Sequence, residues 1–182
     1  CHCGVDGDIA EFGTMSGTTA AVMARAMRDD HTPKKLFLFD SFKGLPKPES
    51  EVDAGSPLVL AGVWREGTCR MLGPVELRGA CEKFLPPDRI AVYEGWFKDT
   101  LSRLPAGTRF SLMHLDCDLY QSAIDVLDYC FGHGLVQEGT AIYFDDWNCN
   151  KASPRYGERK AWAETAVKYS VSYSEGPEYG WT

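Results

Sequence analysis

The chain has 182 residues, 44% of them hydrophobic, 25% charged and 12% aromatic, which suits one globular domain and is short for two. Its 26 acids against 19 bases leave a net charge of -7, a sign that repels phosphate backbones and anionic lipid surfaces, so nucleic acid and membrane are set aside as partners. No run approaches the roughly 20 apolar residues of a membrane span, and the opening CHCGVDGDIA lacks the basic and apolar regions of a signal peptide; a cytoplasmic location is expected.

Seven cysteines, at positions 1, 3, 69, 81, 117, 130 and 149, form no C-x-x-C pair, so neither a disulfide framework nor a zinc pattern emerges. Cys1-His2-Cys3 has the look of a metal-binding fragment without its partner pair. The chain opens almost inside its first strand and stops just after a turn-like EGPEYG. Both ends read as cut, and a fragment of something longer is expected.

In chain order, DIAEFG (8–13) predicts a strand and SGTTAAVMARAMRDD (16–30) a helix with Ala, Val and Met at helical spacing. KLFLFD (35–40) is a second strand, followed by a long Pro- and Gly-rich span over 41–73. A connection of that length in a small domain is expected to be a lid or substrate loop. PVELRGACEKFL (74–85) predicts a helix with Pro in its first turn. Strands follow at 89–95, 109–116 and 139–146, with helices at 119–134 and 159–169. Strands alternating with helices predict an α/β, Rossmann-like, doubly wound and mostly parallel sheet with helices on both faces. In such sheets ligands bind beyond the carboxyl ends of the strands, and here those ends carry Glu11, Asp40, Glu94, Asp116 and Asp145.

Four stretches at those ends carry chemistry. In EFGTMSG (11–17), Gly13 and Gly17 allow close backbone approach to a ligand. The G-x-x-x-G spacing and Glu11 oppose a pyrophosphate, and with it an NAD-binding domain. In FDSF, Asp40 is placed to accept both hydroxyls of a ribose, or to cap a helix. In EGWFKDTL, Trp96 and Phe97 are either an adenine-stacking pair or core. The fourth is LDCDLY with FDDW: Asp116 and Asp118 after one strand, Asp145 and Asp146 after the next. Asp116, Asp145 and Asp146 offer hard oxygen ligands from two strand ends, as Mg²⁺ requires; Asp118 is a helix cap or a proton acceptor. His114 reads as a core histidine, Trp147 as a substrate platform or packed rim residue, and Cys117 as a small filler beside acids that disfavour its thiolate.

EFGTMSG, FDSFKGLPKPE, EGWFKDTL, LDCDLYQS and YFDDW, in this order over residues 7–165, resemble the macrocin/mycinamicin-type O-methyltransferases, the TylF family. The resemblance implies a class I fold that uses S-adenosylmethionine and Mg²⁺ to methylate a hydroxyl, usually on a natural-product sugar, often as an oligomer. It implies that the turn of Glu11, Phe12, Gly13, Thr14, Ser16 and Gly17 holds the methionine part of the cofactor and Asp40 its ribose. Ser41, Phe42, Gly95, Trp96 and Phe97 would surround the adenine. Asp116, Asp145 and Asp146 would bind the metal, and Asp116, then Asp118, would be the base. The family carries a further N-terminal segment and closing C-terminal strands, which this chain is expected to lack.

The expectation is thus a single domain over 1–182, a Mg²⁺-dependent O-methyltransferase acting on a vicinal diol, with a hydroxylated small molecule, a glycoside above all, as acceptor. The alternatives are methylation of a catechol or other phenol, and a non-catalytic cofactor-binding scaffold.

Overall fold

A computed structural model describes residues 4–176; the Cys1-His2-Cys3 fragment lies outside the described residues. Five parallel strands, β1 (Asp8–Phe12), β2 (Leu36–Asp40), β3 (Ile90–Glu94), β4 (Phe110–Leu115) and β5 (Val136–Phe144), run in the order β3-β2-β1-β4-β5. The chain winds outward from β1 to β3, then returns to the other side of β1 for β4. The order therefore reverses between β1 and β4, where a doubly wound sheet opens a crevice at its carboxyl edge.

Alternation along each strand divides its side chains between two cores. Ala10 and Phe12 of β1, Phe37 and Phe39 of β2 and Met113 and Leu115 of β4 face one core. That core is closed by α5 (Phe97–Thr100), α6 (Tyr120–Gly132) and α7 (Gly157–Lys168). A ladder of rings crosses this face, with Phe12 on Phe39 at 4.9 Å and Phe39 on Tyr93 at 4.8 Å. Ile9, Leu36 and Leu38 face the other way, toward α1 (Thr18–Asp29) and α4 (Pro74–Glu82). Helix α1 presents Ala20, Ala24 and Met27 at four- and three-residue steps, the stripe that lets a helix lie against a sheet.

Strand β5 starts three residues before its expected limit and ends two before it. Its pairing with β4 jumps between Phe110 and Leu112, and Gly139 at φ 86° sits in that irregularity. The expected strand began at this glycine, where it punctuates a bulge and not a boundary. Asp145 and Asp146 therefore follow the strand.

The 41–73 span is folded. Its neck is closed by Leu45 N–H donating to Thr68 O at 2.8 Å and Gly67 N–H donating to Leu45 O at 3.0 Å. At Gly44, φ 83°, a Cβ would lie 2.4 Å from Thr68 O, so only glycine fits that crossing. Between the two sides of this neck lie α2 (Glu51–Ala54) and α3 (Pro57–Leu60), over a small core of Leu45, Trp64 and Leu119. The span is thus a compact excursion with its own packing.

Candidate active site

The hydrogen-bond ladder of the sheet runs one residue past the strands. Gly13 N–H donates to Phe39 O, Gly95 N–H to Asp40 O, Asp116 N–H to Phe12 O and Asp145 N–H to Leu115 O, each at 2.9 Å. Backbone pairing thus aligns Gly13, Gly95, Asp116 and Asp145 along one edge. Beyond them opens a cleft of about 440 Å³ lined by Gly13, Thr14, Asp40, Ser41, Gly95, Trp96, Phe97 and all four acids of the LDCDLY and FDDW stretches. The opposite wall comes from the 41–73 loop and the start of α6.

At Gly13, φ 92°, a Cβ would stand 1.9 Å from Asp116 O. The glycine therefore lets the β1 turn lie directly against the acid-bearing turn. Asp40 fastens that turn: its Oδ2 accepts from Thr14 N–H and Thr14 Oγ–H, both at 2.8 Å, and from Met15 N–H at 3.3 Å, while Oδ1 accepts from Phe42 N–H at 2.7 Å. Trp96 lines the cleft, while Phe97 both lines it and packs edge-on against Phe12 at 5.9 Å.

Several expected cofactor residues stand elsewhere. Phe12 is fully buried in the core. Glu11 is 1% exposed and points to the α1/α4 face, where His114, its partner across the β1/β4 pair, lies beside it. Gly17 packs against Leu77 and Leu72, Ser16 bonds Thr18, and Phe42 is buried in the α1/α4 core. Of these five, none lines the cleft. Strand parity explains Glu11: with Phe12 facing α5 and α6, the residue before it must face the other way.

One oxygen from each of Asp116, Asp118 and Asp146 lies within 4.8 Å of the other two. Oxygens around an octahedral Mg²⁺ stand about 2.9 Å apart when adjacent and about 4.1 Å when opposite, from a bond length of about 2.0–2.1 Å; the hard donor set suits such an ion, and the 4.8 Å limit on the separation lies somewhat above the wider of these spacings. The third member of this group is Asp118, where Asp145 was expected. Asp145 is adjacent and half exposed, with Oδ1 3.8 Å from His114 Nε2. Among the described residues no Lys or Arg forms an ion pair with the three. Burial first, then the Asp146 and Asp145 charges, push the Asp116 carboxyl up to about 7. Burial and then Asp146 raise Asp118 well above the usual carboxylate range, and burial raises Asp146 too, against the relief of a Cys149 hydrogen bond. Like charges clustered out of water behave in this way.

His114 is buried, as expected of a strand histidine. Burial works to lower its pKa, yet Asp145 and Glu11 hold it up at about 9. Its Nδ1 is 3.4 Å from Glu11 Oε1, an ion-pair distance without hydrogen-bond alignment, and Glu11 Oε2 has no partner. Burial is also the main influence that raises Glu11.

Asp118 does not cap α6. The residue before that helix is Leu119, without a side-chain cap. The cap comes from Asp53 of the loop, 2% exposed: Oδ1 accepts from Tyr120 N–H at 2.7 Å and Oδ2 from Gln121 N–H at 3.1 Å, with Ser50 Oγ–H adding 2.7 Å. Asp118 instead adopts φ 57° and donates its N–H to Asp146 Oδ2 at 2.9 Å. Cys117 is buried, its thiol pushed far up by burial, then by Glu158. Trp147 carries Arg159 over its ring at 4.8 Å and packs on Phe144, a rim residue outside the cleft lining.

Sequence reasoning missed Asp53 and Glu158. Glu158, in the first turn of α7, is completely buried; Oε1 accepts from Cys117 N–H at 3.2 Å and Oε2 from Asp146 N–H at 3.0 Å. Burial, then Asp146, raises its pKa well above the usual range. Both residues read locally as ordinary helix acids; their partners are backbone amides 67 and 41 residues away.

The model of the macrocin-O-methyltransferase (TylF) family matches residues 1–165. The 8-demethyl-8-(2,3-dimethoxy-alpha-L-rhamnosyl)-tetracenomycin-C 4'-O-methyltransferase of Streptomyces olivaceus is 35% identical over 148 residues, covering 79% of this chain and 54% of that protein. The mycinamicin III 3''-O-methyltransferase of Micromonospora griseorubida is 28% identical over 174 residues, covering 91% and 66%. The solved calicheamicin methyltransferase superposes with a TM-score of 0.72 at 24% identity, over 91% of this chain and 66% of its own. The O-methyltransferase NovP gives 0.70 at 24% identity, over 92% and 66%. The chain spans about half the length of the first curated relatives it matches.

Proposed function

The chain belongs to the TylF family of macrocin O-methyltransferases, and from that premise we propose that it is a single methyltransferase domain that moves a methyl group from S-adenosylmethionine to one hydroxyl of a vicinal diol, with Mg²⁺, on a sugar of a natural product or glycan. The observation that carries this reading is the cleft at the strand-order reversal, with a glycine turn and Trp96 at one end and converging carboxylates at the other. Among the described residues eight carboxylates and two lysines line it. That excess suits a cationic sulfonium and opposes an acceptor bearing phosphate. One of the two lysines, Lys47, already pairs with Glu49 at 3.4 Å.

In this proposal Gly13 and Thr14 receive the methionine part of the cofactor, Asp40 the ribose, and Ser41, Gly95, Trp96 and Phe97 the adenine. Glu11, Phe12, Ser16, Gly17 and Phe42 support these groups from behind. Bound S-adenosylmethionine supplies a methyl group on a sulfonium that needs no further activation. Bound Mg²⁺ supplies Lewis acidity, which orients neighbouring hydroxyls and lowers their pKa. Asp116, Asp145 and Asp146 would hold the ion. Asp116 takes the proton of the attacking hydroxyl at its carboxylate, with Asp118, which meets Asp116 and Asp146 at the same point, as the alternative acceptor. The chain's main contribution is positioning, since aligned reactants save about 7–11 kcal/mol of barrier. The 41–73 loop forms the acceptor's wall and excludes water. The loop places Glu49 and Ser50 beside Leu45, Pro46 and Cys69 on this wall, and the preference for a sugar over a phenol rests on the sugar-methylating relatives.

The test is calorimetry with S-adenosylhomocysteine, with and without Mg²⁺, beside turnover on rhamnoside acceptors. Cofactor binding and EDTA-sensitive turnover are expected, with Asp145→Asn losing turnover and keeping cofactor affinity. No heat from S-adenosylhomocysteine would sink the methyltransferase reading, full activity in EDTA would sink the metal, and binding without turnover on any diol would favour a scaffold.

A further inference from the structure

We infer that Glu158 is a positioning residue: it braces the two acid-bearing turns so that their carboxylates converge on a divalent cation. This rests on the metal reading proposed above. Asp116 and Asp118 follow β4, and Asp145 and Asp146 follow β5. The two turns also meet through the last ladder bond, Asp145 N–H to Leu115 O, and through Asp118 N–H to Asp146 Oδ2 at 2.9 Å, a bond that ends on a carboxylate the cation would also claim. Glu158 spans the gap, taking Cys117 N–H of one turn on Oε1 at 3.2 Å and Asp146 N–H of the other on Oε2 at 3.0 Å. Cys117 N–H belongs to the peptide unit that starts at Asp116, and Asp146 N–H to the one that starts at Asp145. Each bond therefore fixes the backbone from which a candidate ligand projects.

The placement is costly for the fold alone. Glu158 is 0% exposed and, among the described residues, has no cationic partner, and burying an unpaired carboxylate is unfavourable. A buried apolar side chain would fill the same space. What a carboxylate adds is two acceptors at a set spacing. The local backbone is shaped to deliver it: Gly157 enters α7 at φ 56°, and a Cβ there would lie 3.3 Å from Asn150 Nδ2. A glutamine cannot replace the brace, because it offers one acceptor and one donor. Its NH₂ would face one of the two N–H groups and release that turn. Residues that orient ligands from behind change metal affinity by about 10–100-fold when replaced.

The experiment is a calorimetric titration of the full chain with Mn²⁺ and Mg²⁺ for wild type, Glu158→Gln and Glu158→Asp, with S-adenosylhomocysteine affinity measured in parallel. Both variants are expected to bind the cation about 10–100-fold more weakly and S-adenosylhomocysteine within about twofold of wild type, because Glu158 bonds neither the Gly13 turn nor Asp40. Glu158→Asp keeps the charge and shortens the reach, so it reports on the brace if the glutamine variant fails to fold. Wild type that binds no divalent cation would remove the metal reading itself. Wild type that binds, with either folded variant within about threefold of it, would overturn the brace alone. A parallel fall in S-adenosylhomocysteine affinity would overturn it too, as the mark of general loss of structure.

Discussion

Asp53→Ala tests whether the 41–73 loop is locked to the sheet through the start of α6. Three hydrogen bonds end on this one carboxylate, at 2.7, 3.1 and 2.7 Å, and two come from amides that no residue next to the helix can cap. Removing a helix cap costs about 0.5–2 kcal/mol. Leaving a donor buried and unpaired costs about 1–3 kcal/mol. Because the two penalties overlap, a total of about 3 kcal/mol is expected. For a chain of this size that lowers the melting temperature by about 6–12 °C, at about 2–4 °C per kcal/mol. Asp53→Asn keeps an acceptor for one amide and should lose about half as much. Calorimetric unfolding measures both, and hydrogen exchange at Tyr120 and Gln121 places the effect, with faster exchange expected at these two amides. An alanine variant melting within about 1 °C of wild type, with unchanged exchange, would refute the cap.

Asp116→Asn relieves a cluster whose members raise one another, so the metal-free variant should melt about 2–4 °C above wild type, on the order of 1 kcal/mol, while gaining less from added Mg²⁺; thermal scans in EDTA and in Mg²⁺ check both halves. In metal-free protein His114 should titrate near 9 by NMR. Its folded pKa lies above the ordinary 6.5, so its contribution to stability is full below about 6.5 and is lost as pH rises through about 9. The stability slope over that window should flatten in His114→Gln.

Much of the fold was legible because parallel strands buried on both faces read as short apolar runs, such as LFLFD, bounded by polar residues. Expected strand limits fell within a residue or two of the observed ones except in β5. There, a bulge at Gly139 hid the first residues from a periodicity argument. The acids at strand ends were equally legible, because a backbone ladder that stops at a sheet edge puts its next residues there whatever lies between.

What the chain's letters settled was therefore the alternation of strand and helix, the glycine at the first turn, and the row of acids at the carboxyl edge. Only the tertiary structure decided which acid faces what. Glu11 and Asp116 both lie at that edge, yet strand parity turns Glu11 toward His114 and away from the cleft, while Asp116, one ladder step beyond β4, lines it. Asp118 read as a cap or a proton acceptor by its place before α6, and the cap proved to be Asp53. Asp53 and Glu158 bind backbone amides, which every residue carries and no sequence pattern marks, so their roles emerge only where the folded chain brings a buried carboxylate to two unpaired N–H groups.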